Sequence, residues 1–525
     1  MSQKSALIVG AGMGGLGLAA RLAWAGYRVD VFEKNARAGG RADRLDIPHP
    51  DGRGVFRFDM GPTLLLMPEV YRELFASVGR KIEDYVRLVP METNYRTHFE
   101  PTSRFPRPSH IDFTPNVPRM YEQLEAMERG AGARYFEFLR DGCRMYETSR
   151  RDFVGRNFFN PLEFFQPRNL GLLVKTKALR NMYRYVSGKF ADPRLRAAFS
   201  FQTMYLGISP FAAPAVYALL PYTELANGIW FPMGGIYALI EAVQKLAEDL
   251  GARFHFNSPV RRVRLSDDGT RAVGVELEDG STRSADAVIV NADLPYAYEK
   301  LLPDGKPRRL AKMKYTASGY MMYMGLNRRY PQALHHNVVF SGDYRRSFAS
   351  IFDDLRVPER PNFYIAAPTR TDPSLAPEGC DILYILAPVP HLADGQDWEA
   401  EVPRIRRFVF AKLEELGFGD VRPHIVVESD LTPAGWQTRY NLDKGSAFGL
   451  SHNFTQVGWF RPSNKHPRYD RLYFVGASTQ PGTGLPMVLL SAQLTAERIL
   501  HEDGRLQRRI HQNKPGDYVL RPATG

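Results

Sequence analysis

A chain of 525 residues exceeds what one hydrophobic core ordinarily absorbs, so two intertwined domains are expected. Two cysteines, Cys143 and Cys380, and twelve histidines without ligand spacing exclude a disulfide scaffold and a metal centre, and they point to a reducing compartment. The net charge of +12 suits anionic lipid or nucleic acid, but no nucleic-acid recognition motif accompanies it.

Ala6-Leu7-Ile8-Val9 reads as a buried strand, and Gly10-Ala11-Gly12-Met13-Gly14-Gly15 turns from it into a helical pattern carrying Leu18, Ala19, Leu22 and Ala23. Lys4 before an apolar run resembles a secretory leader, yet the glycines have a turn-and-helix explanation, so residues 6–23 read as mature structure. A pyrophosphate needs backbone N–H groups at a helix N-terminus with no side chain in the way. Gly10 permits the tight turn, Gly12 the close approach, and Gly15 the packing of helix on strand, with Gly14 among the cofactor-binding residues of the same loop. A second strand, 27–32, ends at Glu33 and Lys34, about twenty residues beyond the glycines, where a carboxylate can hold a ribose 2′-hydroxyl and disfavours a phosphorylated ribose. Strand, glycine turn, helix and acid together predict a dinucleotide site on a Rossmann-like, doubly wound α/β sheet.

Further along, 117–129 and 135–148 are amphipathic helical patterns. Between Arg150 and Arg196, basic residues alternate with aromatics such as Phe153, Phe158, Phe159, Phe164, Phe165, Tyr183 and Tyr185. That mixture fits an interfacial membrane dock, or a solvated basic face with its aromatics in the core. No stretch reaches the ~18 to 20 apolar residues of a membrane-spanning helix, and 207–222 is broken by Pro210, Pro214 and Pro221. Gly234-Gly235 open a helix through Ile240, Val243, Leu246 and Leu250. The run 252–260 reads as one strand, and 263–265, 272–277 and 282–290 as a small meander with Asp-Gly turns, its last residues 287–290 rejoining the main sheet at Asn291-Ala292-Asp293. Residues 305–465 alternate strand runs (320–326, 363–367, 382–387) with the helix 398–416, as in a mixed sheet covered by helices. Leu472-Tyr473-Phe474-Val475 then repeats the opening theme, passing through Gly476-Ala477-Ser478-Thr479-Gln480-Pro481-Gly482-Thr483-Gly484-Leu485-Pro486 into a final helix. Residues 506–525 form a basic tail.

Two further segments place these loops. Asn35-Ala36-Arg37-Ala38-Gly39-Gly40-Arg41 sets a glycine pair and an arginine after the ribose acid, and Phe58-Asp59-Met60-Gly61-Pro62-Thr63 follows. Both resemble the large flavoprotein group that includes amine oxidases and carotenoid desaturases. The stretch 461–490, with Ile229-Trp230-Phe231-Pro232-Met233-Gly234-Gly235, Asn291-Ala292-Asp293 and Tyr298-Glu299-Lys300-Leu301-Leu302-Pro303, resembles the bacterial and fungal-type phytoene desaturases. The resemblance implies FAD rather than NAD and a flavin amine oxidase-like fold. A discontinuous FAD domain (1–89, 228–304, 466–505) would receive an inserted α+β substrate and membrane-docking domain (90–227, 305–465).

By the same resemblance Gly40 lets backbone approach the cofactor, Arg41 and Gly61 lie close to it, and the backbone of Val260 meets adenine. Gly476, Ala477, Gly484, Met487 and Val488 would flank the isoalloxazine, where the N-terminal N–H groups of the last helix stabilise the negative charge left by hydride transfer. The implied reaction inserts carbon–carbon double bonds into phytoene or a C30 analogue, with a lipophilic carotenoid substrate and quinone or oxygen as electron acceptor. The implied location is cytoplasmic, peripheral to the inner membrane. No catalytic base is assigned, Glu224 and Tyr222 being conceivable. Gln480 stands where many relatives carry histidine, which leaves open terminal oxygenation, desaturation of a hydroxylated carotenoid, or polyene isomerisation. A non-catalytic lipid escort on a flavoprotein scaffold is the rival from another class.

Overall fold

The computed structural model describes residues 3–505, so the basic tail 506–525 lies outside the described residues. Five parallel strands carry the glycine loops, in the order Leu472–Phe474, Ala287–Val290, Ser5–Val9, Arg28–Phe32, Arg253–His255. Every residue of Ser5–Val9 and Ala287–Val290 is buried, as expected of parallel strands covered on both faces, and this is why both read as unbroken apolar runs. Strand order reverses at Ser5–Val9: the chain moves first to Arg28–Phe32 on one side and returns much later to Ala287–Val290 on the other. Such a switch point leaves a crevice at the carboxyl ends of the diverging strands. Gly10 and Asn291 stand there.

Three helices cover this sheet: α1 (Met13–Trp24), α2 (Ile236–Asp249) and α3 (Leu485–Glu502). α1 is buried along nearly its whole length, and small residues let its neighbours approach closely. A Cβ on Gly17 would lie 2.7 Å from Leu489 Cδ2 of α3. Asp59 caps α2 from a distance, its two carboxylate oxygens accepting the Ile236 and Tyr237 N–H groups at 2.7 and 2.9 Å.

Three expectations need correction. The run 252–260 is not one strand: Arg253–His255 closes the parallel sheet, Asn257 takes φ 50°, and Val260–Leu265 starts a separate three-stranded meander. Asn tolerates that left-handed turn and Pro259 has no N–H for a ladder, so the alternation of the side chains is overridden. Likewise 282–290 divides into Thr282–Ser284 in the meander and Ala287–Val290 in the main sheet. The last helix begins at Leu485, so Pro486 sits inside its first turn, where proline is tolerated because that N–H lacks an intrahelical acceptor.

The second sheet has seven strands, in the order Ile425–Leu431, Ser318–Leu326, Asp381–Val389, Phe363–Ala366, His336–Phe340, Tyr95–Phe99, Ser109–Phe113. It is antiparallel except where His336–Phe340 meets Tyr95–Phe99 in parallel. The helix Trp398–Glu415 covers one face, burying Ile405, Val409 and Leu413 against Ile385 and Leu383. Helices between Ala131 and Asn227 stand across from part of the sheet, with a cavity between.

Candidate active site

The first N–H groups of a helix lack intrahelical partners, so an open helix N-terminus seats an anion. α1 has no side-chain cap and no acid in its first turn, and Gly10, Gly12, Met13 and Gly14 line a cavity of about 840 Å³. Gly10 takes φ +99°, which a side chain would strain. Asn291 locks the turn, its Nδ2 donating to Gly10 O at 3.0 Å and Gly12 O at 3.3 Å. Gly15 packs behind the turn, where a Cβ would stand only 2.3 Å from Gly10 O.

Glu33 is 6 % exposed at the end of the second strand. Its Oε2 accepts the Ala11 N–H at 2.8 Å and its Oε1 the Asn35 N–H at 2.9 Å, which leaves each oxygen a further lone pair where the residue borders the cavity. Lys34 donates to Asn441 Oδ1 at 3.0 Å, and burial lowers its pKa from the usual lysine value. Arg41 donates to Ala447 O at 3.0 Å, its pKa lowered by burial against the opposing charge of Asp293. Gly40, Arg41, Gly61 and Val260 all line the same cavity.

The far end of the chain closes the site. Gly476, Ala477, Gly484, Met487 and Val488 line the cavity, and a Cβ on Gly14 would lie 3.0 Å from Val488 Cγ1 and 3.3 Å from Gly476 Cα. α3 has no side-chain cap and starts from Gly484 at φ 103°, so a second helix N-terminus faces the space served by the first. Beyond the loops the walls turn apolar, between Val338 and Phe340 of the seven-stranded sheet and Phe201, Leu219 and Leu220 of the helical layer.

The family model described as flavin containing amine oxidoreductase matches residues 13–500. The chain belongs to this family. Within it, the chain is 53 % identical over 498 residues to a zeta-carotene-forming phytoene desaturase of Myxococcus xanthus, covering 94 % of this chain and 93 % of the relative. It is 35 % identical over 506 residues to a 4,4′-diapophytoene desaturase (4,4′-diaponeurosporene-forming) of Staphylococcus haemolyticus, covering 94 % and 98 %. Among solved structures, an oxidoreductase from Methanosarcina mazei superposes with a TM-score of 0.62 at 18 % identity, covering 93 % of this chain and 99 % of that one. The protein is thus an FAD-dependent flavin amine oxidoreductase-family enzyme of the phytoene desaturase group.

The residues present fit that cofactor. Two uncapped helix N-termini, a carboxylate with spare acceptor sites, and glycines whose added Cβ atoms would meet backbone or Asn291 make a cradle for an extended dinucleotide. Sequence reasoning assigned no role to two residues that line the cavity, Asn291 and Asp293, nor to Arg461, which lies behind the closing loop. Asn291 was visible only as part of a motif, and its two carbonyl contacts are tertiary. Asp293 accepts the Ser478 hydroxyl at 2.5 Å and the Asp443 N–H at 3.1 Å, its carboxyl pushed up by burial. Arg461, 1 % exposed, donates to the carbonyls of Thr479 (3.0 Å), Ser451 (3.2 Å), Gln456 (3.4 Å), Leu450 (3.4 Å) and Ala477. Five carbonyls on three segments therefore share one guanidinium.

Neither conceivable base borders the cavity. Glu224 is fully buried and accepts the Tyr95 hydroxyl at 2.8 Å, its carboxyl pushed up to about 7 by burial. Tyr222 packs over Gly142 and against Tyr146. The basic, aromatic segment divides between its two readings: Phe158, Phe164 and Tyr185 enter the interior, while Phe159 and Phe165 stay exposed. Gln480 donates to Gly458 O at 3.1 Å on the cavity wall.

Proposed function

We propose that the enzyme inserts double bonds into a linear carotenoid precursor, phytoene or its C30 counterpart diapophytoene. The observation that carries this is one continuous cavity, which begins among the glycine loops and proceeds between apolar walls to a rim bearing Phe165, Phe454 and Phe460. A long hydrocarbon needs such walls, and the named relatives act on substrates of both carbon lengths. Gly10, Gly12, Gly14 and the N-terminus of α1 hold the pyrophosphate, Glu33 the ribose, Val260 the adenine, and Gly476 to Val488 the isoalloxazine. When bound there, FAD supplies the two-electron acceptor for a hydride leaving the substrate, and quinone or oxygen takes the electrons onward. The protein walls exclude water and hold the polyene extended, while the first turn of α3 supplies positive potential at that end of the cavity. In this reading residues 1–89, 228–304 and 466–505 form the cofactor domain and 90–227 with 305–465 the substrate domain.

The test is conversion in lipid vesicles containing phytoene or diapophytoene by purified, FAD-loaded protein. Desaturation removes two hydrogens per new bond and shifts absorbance to longer wavelength. Unchanged mass with altered retention identifies isomerisation, added oxygen identifies oxygenation, and no conversion of either substrate overturns the reading.

Substrate of this kind resides in lipid, and we place the rim on the membrane surface. Among the described residues no helix is long and apolar enough to cross a bilayer. Leu162, Val174 and Leu179 are 80, 67 and 69 % exposed, beside exposed Arg168, Lys175 and Arg180. Apolar side chains among basic ones enter the head-group region of anionic lipid. At about 1.5 kcal/mol or more for each large apolar side chain transferred, the triple change Leu162→Asp, Val174→Asp, Leu179→Asp weakens vesicle binding by about a thousandfold or more. Co-sedimentation with phosphatidylserine-containing vesicles measures it, with FAD content unchanged. Equal sedimentation of variant and parent refutes the placement.

A further inference from the structure

Resting on the desaturase reading, we propose that Thr63, Tyr364 and His336 form a hydroxyl-to-imidazole chain that accepts the proton the substrate loses after its hydride has gone. Thr63 follows Gly61-Pro62 directly, and both Thr63 and Tyr364 line the cavity. Thr63 Oγ1 lies 2.8 Å from the Tyr364 hydroxyl, which in turn lies 2.6 Å from His336 Nδ1. The chain starts at the loop beside the cofactor pocket and ends 1 % exposed in the protein interior.

Strand register fixes this alignment. Tyr364 lies on Phe363–Ala366 and His336 on His336–Phe340, adjacent antiparallel strands in which Val338 faces Tyr364 and His336 faces Ala366. The imidazole and phenol rings stack with centroids 5.9 Å apart. Among the described residues His336 Nε2 has no hydrogen-bond partner, so the imidazole's one hydrogen bond runs to the hydroxyl that leads to the cavity.

The step balances as follows. Loss of a hydride leaves the substrate a carbocation delocalised over its conjugated system. The C–H bond on the neighbouring carbon breaks, and its electron pair becomes the new π bond. The proton passes to the Tyr364 oxygen, directly or through the Thr63 hydroxyl, as the Tyr364 proton moves to His336 Nδ1. The chain accepts in the tautomer that carries its hydrogen on Nε2. Burial, with His335 beside it, lowers the pKa of His336 well below the usual histidine range, so the imidazole stands neutral and able to accept. A weak base suffices, because a carbocation is a far stronger acid than an imidazolium. The same weakness returns the proton along the chain once the product leaves.

Tyr364→Phe removes the central hydroxyl, and His336→Asn keeps an acceptor near the position of Nδ1 but cannot take up a proton. Each is assayed for FAD content, melting temperature, phytoene conversion, and conversion of phytoene deuterated at the carbons that lose a proton. Conversion by the parent protein is the separate test of the desaturase reading. Given that conversion, the expected result for both variants is full FAD content, a rate lower by about tenfold to a hundredfold, and an isotope effect larger than in the parent. If His336→Asn fails to fold, Tyr364→Phe alone decides. A Tyr364→Phe rate and isotope effect equal to the parent overturn the proposal, as does a slowed rate whose isotope effect does not change.

Discussion

Gly15→Ala is expected to yield a folded protein that loses most of its FAD on desalting. The added Cβ would stand 2.3 Å from Gly10 O, 2.9 Å from Asn291 Nδ2 and 3.3 Å from Ile8 Cγ2. The first clash is with backbone, so relief requires the Gly10 peptide to move, and that peptide accepts the 3.0 Å hydrogen bond from Asn291. Overpacking of this kind costs about 1–3 kcal/mol, and the strain falls on the loop that must present its N–H groups to the pyrophosphate. FAD binding then weakens by about 5-fold to 150-fold, read as the ratio of flavin to protein absorbance and as an FAD titration of the apoprotein. Gly17→Ala is the control, because its Cβ would clash only with the flexible end of Leu489 at 2.7 Å and meet Ala492 Cβ and Leu74 Cδ2 at ordinary contact distances of 3.5 and 3.8 Å. It retains FAD. Retention by both variants would remove the argument that this turn holds the cofactor.

The elements legible in the sequence were those whose signal is local. Ala6 to Val9 is apolar because both faces of its strand are covered, and the glycines after it are needed where they stand, so strand, loop and α1 could be read without tertiary information. The same holds for the return through Leu472 to Phe474 into α3. Reading failed where a partner elsewhere in the fold decides. The alternation across 252–260 continues through Asn257, but Arg253–His255 finds its partner in Arg28–Phe32 and Val260–Leu265 finds its own in Ala272–Leu277, so one run serves two sheets. Asn291, Asp293 and Arg461 are ordinary residues in their own segments and acquire meaning only from backbone groups brought from afar. Tyr364 and His336 likewise sit in strands whose composition announces nothing beyond burial.

Arg461 carries the second large effect, and Arg461→Met is expected to destabilise the enzyme by about 3–5 kcal/mol while loosening FAD. An arginine buried at 1 % exposure with no hydrogen-bonded carboxylate is unusual, and burial lowers its pKa to about 10, so it remains cationic at neutral pH. Desolvation of that charge opposes folding. The opposing gain is that five carbonyls, from Leu450, Ser451, Gln456, Ala477 and Thr479, would otherwise lack this donor. A methionine fills similar volume and removes the desolvation penalty. Ser451 O keeps the Gln456 Nε2 donor at 3.3 Å, but each of the other oxygens that finds neither water nor another donor costs about 1–3 kcal/mol. Because Ala477 and Thr479 belong to the loop between Gly476 and Gly484, the segment relaxes exactly where α3 must present its N-terminus, and flavin retention falls along with stability. Arg461→Lys separates geometry from charge: it keeps the cation but has three donors on one atom and cannot span three segments. If geometry dominates, lysine behaves nearly as poorly as methionine in urea unfolding and in FAD titration. Near-parental stability of Arg461→Met would mean that the carbonyls find other partners and that this guanidinium does not hold the closing loop.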